Sequence, residues 1–155
     1  MGSRRSAVVA AVGIGVVAAG LIAGASASAG TGDDETVLVF DVQTSPFDLT
    51  DLGEPGLSAA DQIVFHDQLL QDGNHVGHQV GGCVLVDAEA FANCTGVVTL
   101  DGRGTITYAF ENAPPPEKTV AITGGSGDFR AAHGDGVFLE AEDQTATLTL
   151  TLVRR

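Results

Sequence analysis

Three side chains near the middle of this 155-residue chain are suited to moving protons: Asp67, His78 and Tyr108. Asp72-Gly73 lies between the first two. It reads as a two-residue type I′ hairpin turn, because Asp tolerates and Gly prefers positive φ. That turn places Asp67 opposite His78, Leu69 opposite Val76 and Phe65 opposite Val80. A carboxylate beside an imidazole shifts the imidazole pKa and makes an acid–base dyad. Strand alternation puts Tyr108 on the same face, where its hydroxyl can donate to a developing oxyanion. The other reading of Asp67 and His78 is a buried, mutually hydrogen-bonded pair that fixes strand register.

Cys83 and Cys94 have ten residues between them. A turn at Ala88-Glu89 sets them directly opposite each other on antiparallel strands, within disulfide reach. Alternation places Cys83 on the outer, polar face. His66, His75, His78 and His133 raise the question of a metal. On a regular strand, His75 and His78 point to opposite faces and cannot share one ion, so no metal is expected. The run Gly124-Gly125-Ser126-Gly127 lacks the Lys-Ser/Thr pair and the following helix of a phosphate-binding loop, so a tight turn is expected. Asn93-Cys94-Thr95 matches a glycosylation sequon, but its central residue is the half-cystine.

The elements that must carry these residues are strands. Beyond the N-terminal run, no segment keeps helical periodicity for more than two turns, whereas period-2 alternation with Gly-rich punctuation recurs. The strands expected are 36–43, 61–70, 76–87, 93–100, 103–110, 118–123, 134–142 and 145–153. Turns at Asp101-Gly102 and Asp143-Gln144 pair Val97 with Ile106, Thr95 with Tyr108, Leu139 with Leu148 and Val137 with Leu150. One face then carries Ile63, Phe65, Leu69, Val76, Val80, Val84, Val97, Ile106, Phe110, Val137, Leu139, Leu148 and Leu150. The other carries His66, Gln68, Gln79, Cys83, Thr105, Thr107, Thr147 and Thr149. An antiparallel sheet with one apolar face is covered by closing into an eight-stranded up-and-down β-barrel, which also removes its edges. An open sandwich is the alternative. Phe65, Val80, Ile106 and Phe110, on the apolar face, are candidate substrate contacts.

Residues 1–29 read as a secretory signal peptide: Arg4-Arg5, then an uncharged apolar run from Ala7 to Ala23, then small-x-small cleavage sites. A retained membrane anchor is the competing reading. Residues 30–155 then form one domain, outside the cell and not inserted in a membrane. With a formal charge of −13 and a pI near 4.3, the chain has no basic face for nucleic acid.

Val120-Ala121-Ile122-Thr123-Gly124-Gly125-Ser126-Gly127-Asp128-Phe129-Arg130-Ala131-Ala132-His133-Gly134 resembles the strand–turn motif shared by allene oxide cyclases and plant dirigent proteins. Gly82-Cys83-Val84-Leu85-Val86 is similar to a cyclase strand, and Asp61–Leu70 to the second strand of both families. The resemblance spans roughly residues 61–142. It implies an eight-stranded barrel with a largely apolar cavity, often trimeric, acting without a cofactor on small hydrophobic molecules. It also makes Asp67 similar to an acidic pocket residue of dirigent proteins, and Cys83 similar to a cavity cysteine of the cyclases. The acidic and Asn pocket residues of the plant cyclases have no match between Glu35 and Asp51. Three functions follow: a cyclase or isomerase of a small hydrophobic oxygenated molecule, a non-catalytic binding or templating barrel, and a barrel packed solid. A homodimer or homotrimer is compatible with each.

Overall fold

The computed structural model describes residues 34–114, 116–141 and 143–154. The signal-peptide reading of residues 1–29 lies outside them. The described residues form nine strands: β1 Asp34–Gln43, β2 Asp48–Thr50, β3 Gln62–Gln71, β4 Asn74–Leu85, β5 Ala92–Leu100, β6 Gly104–Asn112, β7 Glu117–Gly125, β8 His133–Glu140 and β9 Thr145–Arg154. Eight of these match the expected strands closely. The ninth, β2, is a short addition along the first three residues of β3, in the Pro- and Gly-bearing stretch between the first two expected strands.

Every neighbouring pair is antiparallel, and the order β1-β9-β8-β7-β6-β5-β4-β3 closes through β1 and β3 at Asp41–Leu70, Val42–Leu69 and Gln43–Gln68. The fold is therefore a closed eight-stranded antiparallel barrel, not an open sandwich. Its interior holds Phe40, Val42, Leu69, Val98, Ile106, Val120, Leu148, Leu150 and Leu152, none more than 1% exposed. A smaller cluster of Cys83, Leu85, Ala92 and Cys94, with Ile63, Phe65 and Phe110 against it, fills the other end.

Three hairpins differ from the expected register by one residue, and the first two show a local cause. At the first, the turn itself is as expected: Asp72 (φ 50°) and Gly73 (φ 75°) are both left-handed, and Gln71 pairs with Asn74 and Leu70 with His75. A bulge then leaves Val76 unpaired, so Leu69 meets Gly77, Gln68 meets His78 and Asp67 meets Gln79. At the second, the connection is three residues, Asp101-Gly102-Arg103, closed by Arg103 N–H donating to the Leu100 carbonyl, so Val98 faces Ile106 and Thr95 faces Ala109. At the third, Phe138 faces Leu148 and Gly136 faces Leu150.

Since a one-residue slip sends side chains to the other face, several placements are corrected. Val80, Val84 and Leu139 lie outside and are 39%, 47% and 45% exposed. Val97 and Val137, which pair with Thr107 and Thr149, are also on the outer side. Gln79 and Cys83, expected outside, are buried inside. Ile63, Phe65, Leu69, Ile106, Phe110, Leu148 and Leu150 point inward as expected, and Val76 packs against the core from its bulge.

The Gly124–Gly134 motif is a structural turn. Ser126 N–H donates to Thr105 O, Asp128 N–H to Arg103 O and Phe129 N–H to Ser126 O. Those amides are spent inside the protein, and Phe129 is buried among the core residues.

Candidate active site

Asp67 is 3% exposed inside the barrel, and its partner there is Gln79, not His78. Gln79 Nε2 donates to Asp67 Oδ2 at 2.8 Å, and Tyr108 Oη donates to Gln79 Oε1 at 2.8 Å. The other carboxylate oxygen accepts from Ser45 N–H at 2.9 Å and from Ser45 Oγ at 3.3 Å. β3, β4 and β6 thus each supply one member of a buried chain, and the segment leaving β1 caps it. The direction of the chain follows from chemistry. An ionised carboxylate only accepts, so it takes the NH₂ end of Gln79; the amide oxygen is then left for Tyr108, which must donate.

Burial, and next the negative charge of Asp67, push the Tyr108 hydroxyl well above its ordinary pKa. The phenol is held neutral, as a hydrogen-bond donor. Its ring lies over Gly96, where an added Cβ would overlap the ring and hydroxyl. No buried side-chain polar atom among the described residues lacks a partner.

Next to Tyr108 the interior turns aromatic. Phe110 stacks on Tyr108 with ring centroids 6.0 Å apart, and Phe138 lies 6.4 Å beyond Phe110. Phe110 also lines a concavity of about 410 Å³ with Val86, Ala92, Asn93, Ala109 and Glu111. Lys118 points into the same end of the barrel; it is 6% exposed and donates to the Ala113 carbonyl at 2.9 Å, with Glu140 at 3.5 Å.

Of the expected catalytic residues, Asp67 and Tyr108 come together through Gln79, while His78 does not join them. The bulge at Val76 turns His78 to the outer face, where its ring meets His66. Of the expected substrate contacts, Phe65, Ile106 and Phe110 face inward and Val80 does not. Cys83 and Cys94 form the expected disulfide, their Cα atoms 4.0 Å apart. The bond sits in the interior, so Cys83 has the inward position that the cyclase resemblance implied but no free thiol. Gln79, Ser45 and Lys118 were not anticipated. Only the bulge distinguishes Gln79 from an outward residue, and alternation carries no sign of it.

Asp61, wholly buried at the start of β3, organises the loop after β2. It accepts from the backbone N–H groups of Leu52 and Ser58, both at 2.7 Å, and these bonds hold its carboxyl below the usual range.

No known protein family and no curated protein matches the chain by sequence. Solved structures do. Pyocyanin demethylase is 26% identical, with a TM-score of 0.69 over 76% of this chain and 99% of its own. A pterocarpan synthase dirigent protein is 22% identical, with a TM-score of 0.59 over 79% of this chain and 89% of its own. The Diels–Alderase AbmU from Streptomyces koyangensis is 16% identical, with a TM-score of 0.61 over 82% and 72%. The chain has the barrel fold that dirigent proteins and cyclase barrels share.

Proposed function

We propose that this barrel catalyses a redox-neutral cyclisation or isomerisation of a small, hydrophobic, oxygenated molecule. The observation that carries the reading is the Asp67–Gln79–Tyr108 chain: a carboxylate, an amide and a phenol joined in line inside a largely apolar barrel. Tyr108 is the catalytic residue, since of the three it adjoins the aromatic end, its ring stacked on Phe110. Asp67 and Gln79 are positioning residues that hold the phenol in place through the Gln79 Oε1 acceptor. When a substrate oxygen replaces Gln79 Oε1 as that acceptor, the neutral phenol stabilises the negative charge the oxygen gains as bonds reorganise. Phe65, Phe110 and Phe138 supply apolar walls that hold a flexible substrate in one conformer, so that orientation supplies much of the rate. An isomerisation returns the atoms and electrons it takes in, so the reaction calls for no cofactor.

Support also comes from the fold shared with the Diels–Alderase AbmU. The chain acts after export: the disulfide fits an oxidising compartment, and among the described residues no helix is long and apolar enough to cross a membrane.

A second reading is a non-catalytic binding or templating barrel. It is favoured by one observation: Tyr108 is 2% exposed and its single proton is already committed to Gln79. Incubating the purified protein, without added cofactor, with a panel of small unsaturated ketones, epoxides and phenols separates the two. The enzyme reading expects a product of unchanged mass with an excess of one enantiomer. Saturable binding with no product assigns the templating role, and neither binding nor product defeats both readings.

A further inference from the structure

The bulge at Val76 has a second effect, on the outer wall. It adds one residue between His75 and His78, so both rings lie on the same face of β4, which regular alternation forbids. His75 is engaged: its Nε2 lies 2.7 Å from Gln68 Oε1 and its Nδ1 3.7 Å from Asp101. His78 instead meets His66 on β3, with ring centroids 5.3 Å apart and planes at 75°. These two sit mid-strand as diagonal neighbours, with backbones fixed by the ladder. Each is the chain neighbour of an interior group, His66 of Asp67 and His78 of Gln79, so the histidine pair and the buried chain occupy opposite sides of one wall.

We propose that His66 and His78 form an open, two-imidazole site for a late divalent transition-metal ion. The spacing fits. A zinc–nitrogen bond of about 2.0–2.1 Å puts the ion about 3.2 Å from an imidazole centroid, and two such arms about 110° apart hold centroids about 5.2 Å from each other. Neutral imidazole suits Cu²⁺, Ni²⁺ and Zn²⁺, and the Irving–Williams order makes Cu²⁺ the tightest. Among the described residues no group of three or more His, Cys, Asp and Glu side chains is placed to hold an ion. The remaining coordination positions therefore go to water or an external ligand, and the ion exchanges freely. The formal charge of −13 favours cations near the surface. The site is independent of the proposed reaction.

The test is Cu²⁺ titration of the purified, folded full chain, read by electron paramagnetic resonance and calorimetry. The proposal expects one ion per chain, with a spectrum showing two imidazole nitrogens. His66→Ala and His78→Ala should each weaken binding by at least about tenfold, the smallest loss seen when even an outer partner of a metal ligand is removed. His133→Ala, on β8 with its Nδ1 near the Ala131 carbonyl, should bind like the parent. His→Gln replaces either alanine variant that fails to fold. Unchanged affinity in the His66 and His78 variants, a spectrum with a single imidazole, or no binding at all overturns the proposal.

Discussion

Gln79 Nε2 donates to Asp67 Oδ2 at 2.8 Å inside the barrel, in the position that an unbroken hairpin ladder from Asp72-Gly73 would have given to His78. The exchange of an imidazole for an amide changes the chemistry of the interior. An amide has no accessible pKa and cannot take the proton; it can only pass on the orientation that Asp67 imposes. The titratable group at the far end of the chain is Tyr108.

Tyr108→Phe keeps the ring that packs against Gly96 and Phe110 and removes only the hydroxyl. Gln79 Oε1 then loses its donor while remaining buried. Leaving such an acceptor unsatisfied costs about 1–3 kcal/mol. Urea denaturation should show a lower midpoint with an unchanged slope. An unchanged midpoint would mean that water reaches Gln79 in solution.

Tyr108 is the only tyrosine in a chain without tryptophan, so the tyrosinate absorbance band reports on it alone. Its folded pKa is raised by burial and by Asp67. The fold therefore favours the neutral phenol. The stability this contributes is complete below the ordinary value of 10.0 and is lost as pH rises above it. In an alkaline titration, tyrosinate should appear only together with the loss of strand circular dichroism. Ionisation near the ordinary value in the folded protein would place the hydroxyl in water.

Gly96→Ala tests how tightly the interior is packed at this level. The added Cβ meets the Tyr108 ring and hydroxyl, and overpacking of this kind costs about 1–3 kcal/mol. Thr99→Ala, on the outer side of the same strand, should change stability by no more than about 0.5 kcal/mol. Equal thermal midpoints for the two variants would show free space beside Tyr108.

The Cys83–Cys94 disulfide closes a short loop, with a sequence separation of 11. Chain entropy gives it about 3 kcal/mol. Cys83→Ala/Cys94→Ala should lose about that much in denaturant. Protein collected from the medium of an expressing host should begin near Gly30 and show no free thiol until reduced. A retained N-terminus, or two thiols in the unreduced protein, would contradict export through an oxidising compartment.

Much of the barrel was legible because its strands alternate and its turns are marked. Asp72-Gly73 formed the expected turn, and Cys83 fell opposite Cys94. What alternation could not show was the small backbone defects: the bulge at Val76, the third turn residue Arg103, and the one-residue shift between β8 and β9. Each is a change of one residue in the backbone, and the hydrophobic pattern tolerates either register locally. Val80, Val84 and Val97 look as apolar as core residues, so they gave no warning that they face outward. The site suffered most, because His78 and Gln79 are chain neighbours and one residue of slip exchanges them. Asp67 and Tyr108 survived because their own strands, β3 and β6, keep the expected faces.

The turnover of Tyr108→Phe relative to the parent, measured on whichever panel compound is converted, tests most directly whether Tyr108 acts on the substrate. Losing a positioned proton donor should lower kcat by about 10²–10⁴-fold, with circular dichroism and substrate affinity close to those of the parent. A folded Tyr108→Phe variant that turns over at the parent rate would contradict the assignment of Tyr108, and with it the role given to the Asp67–Gln79–Tyr108 chain.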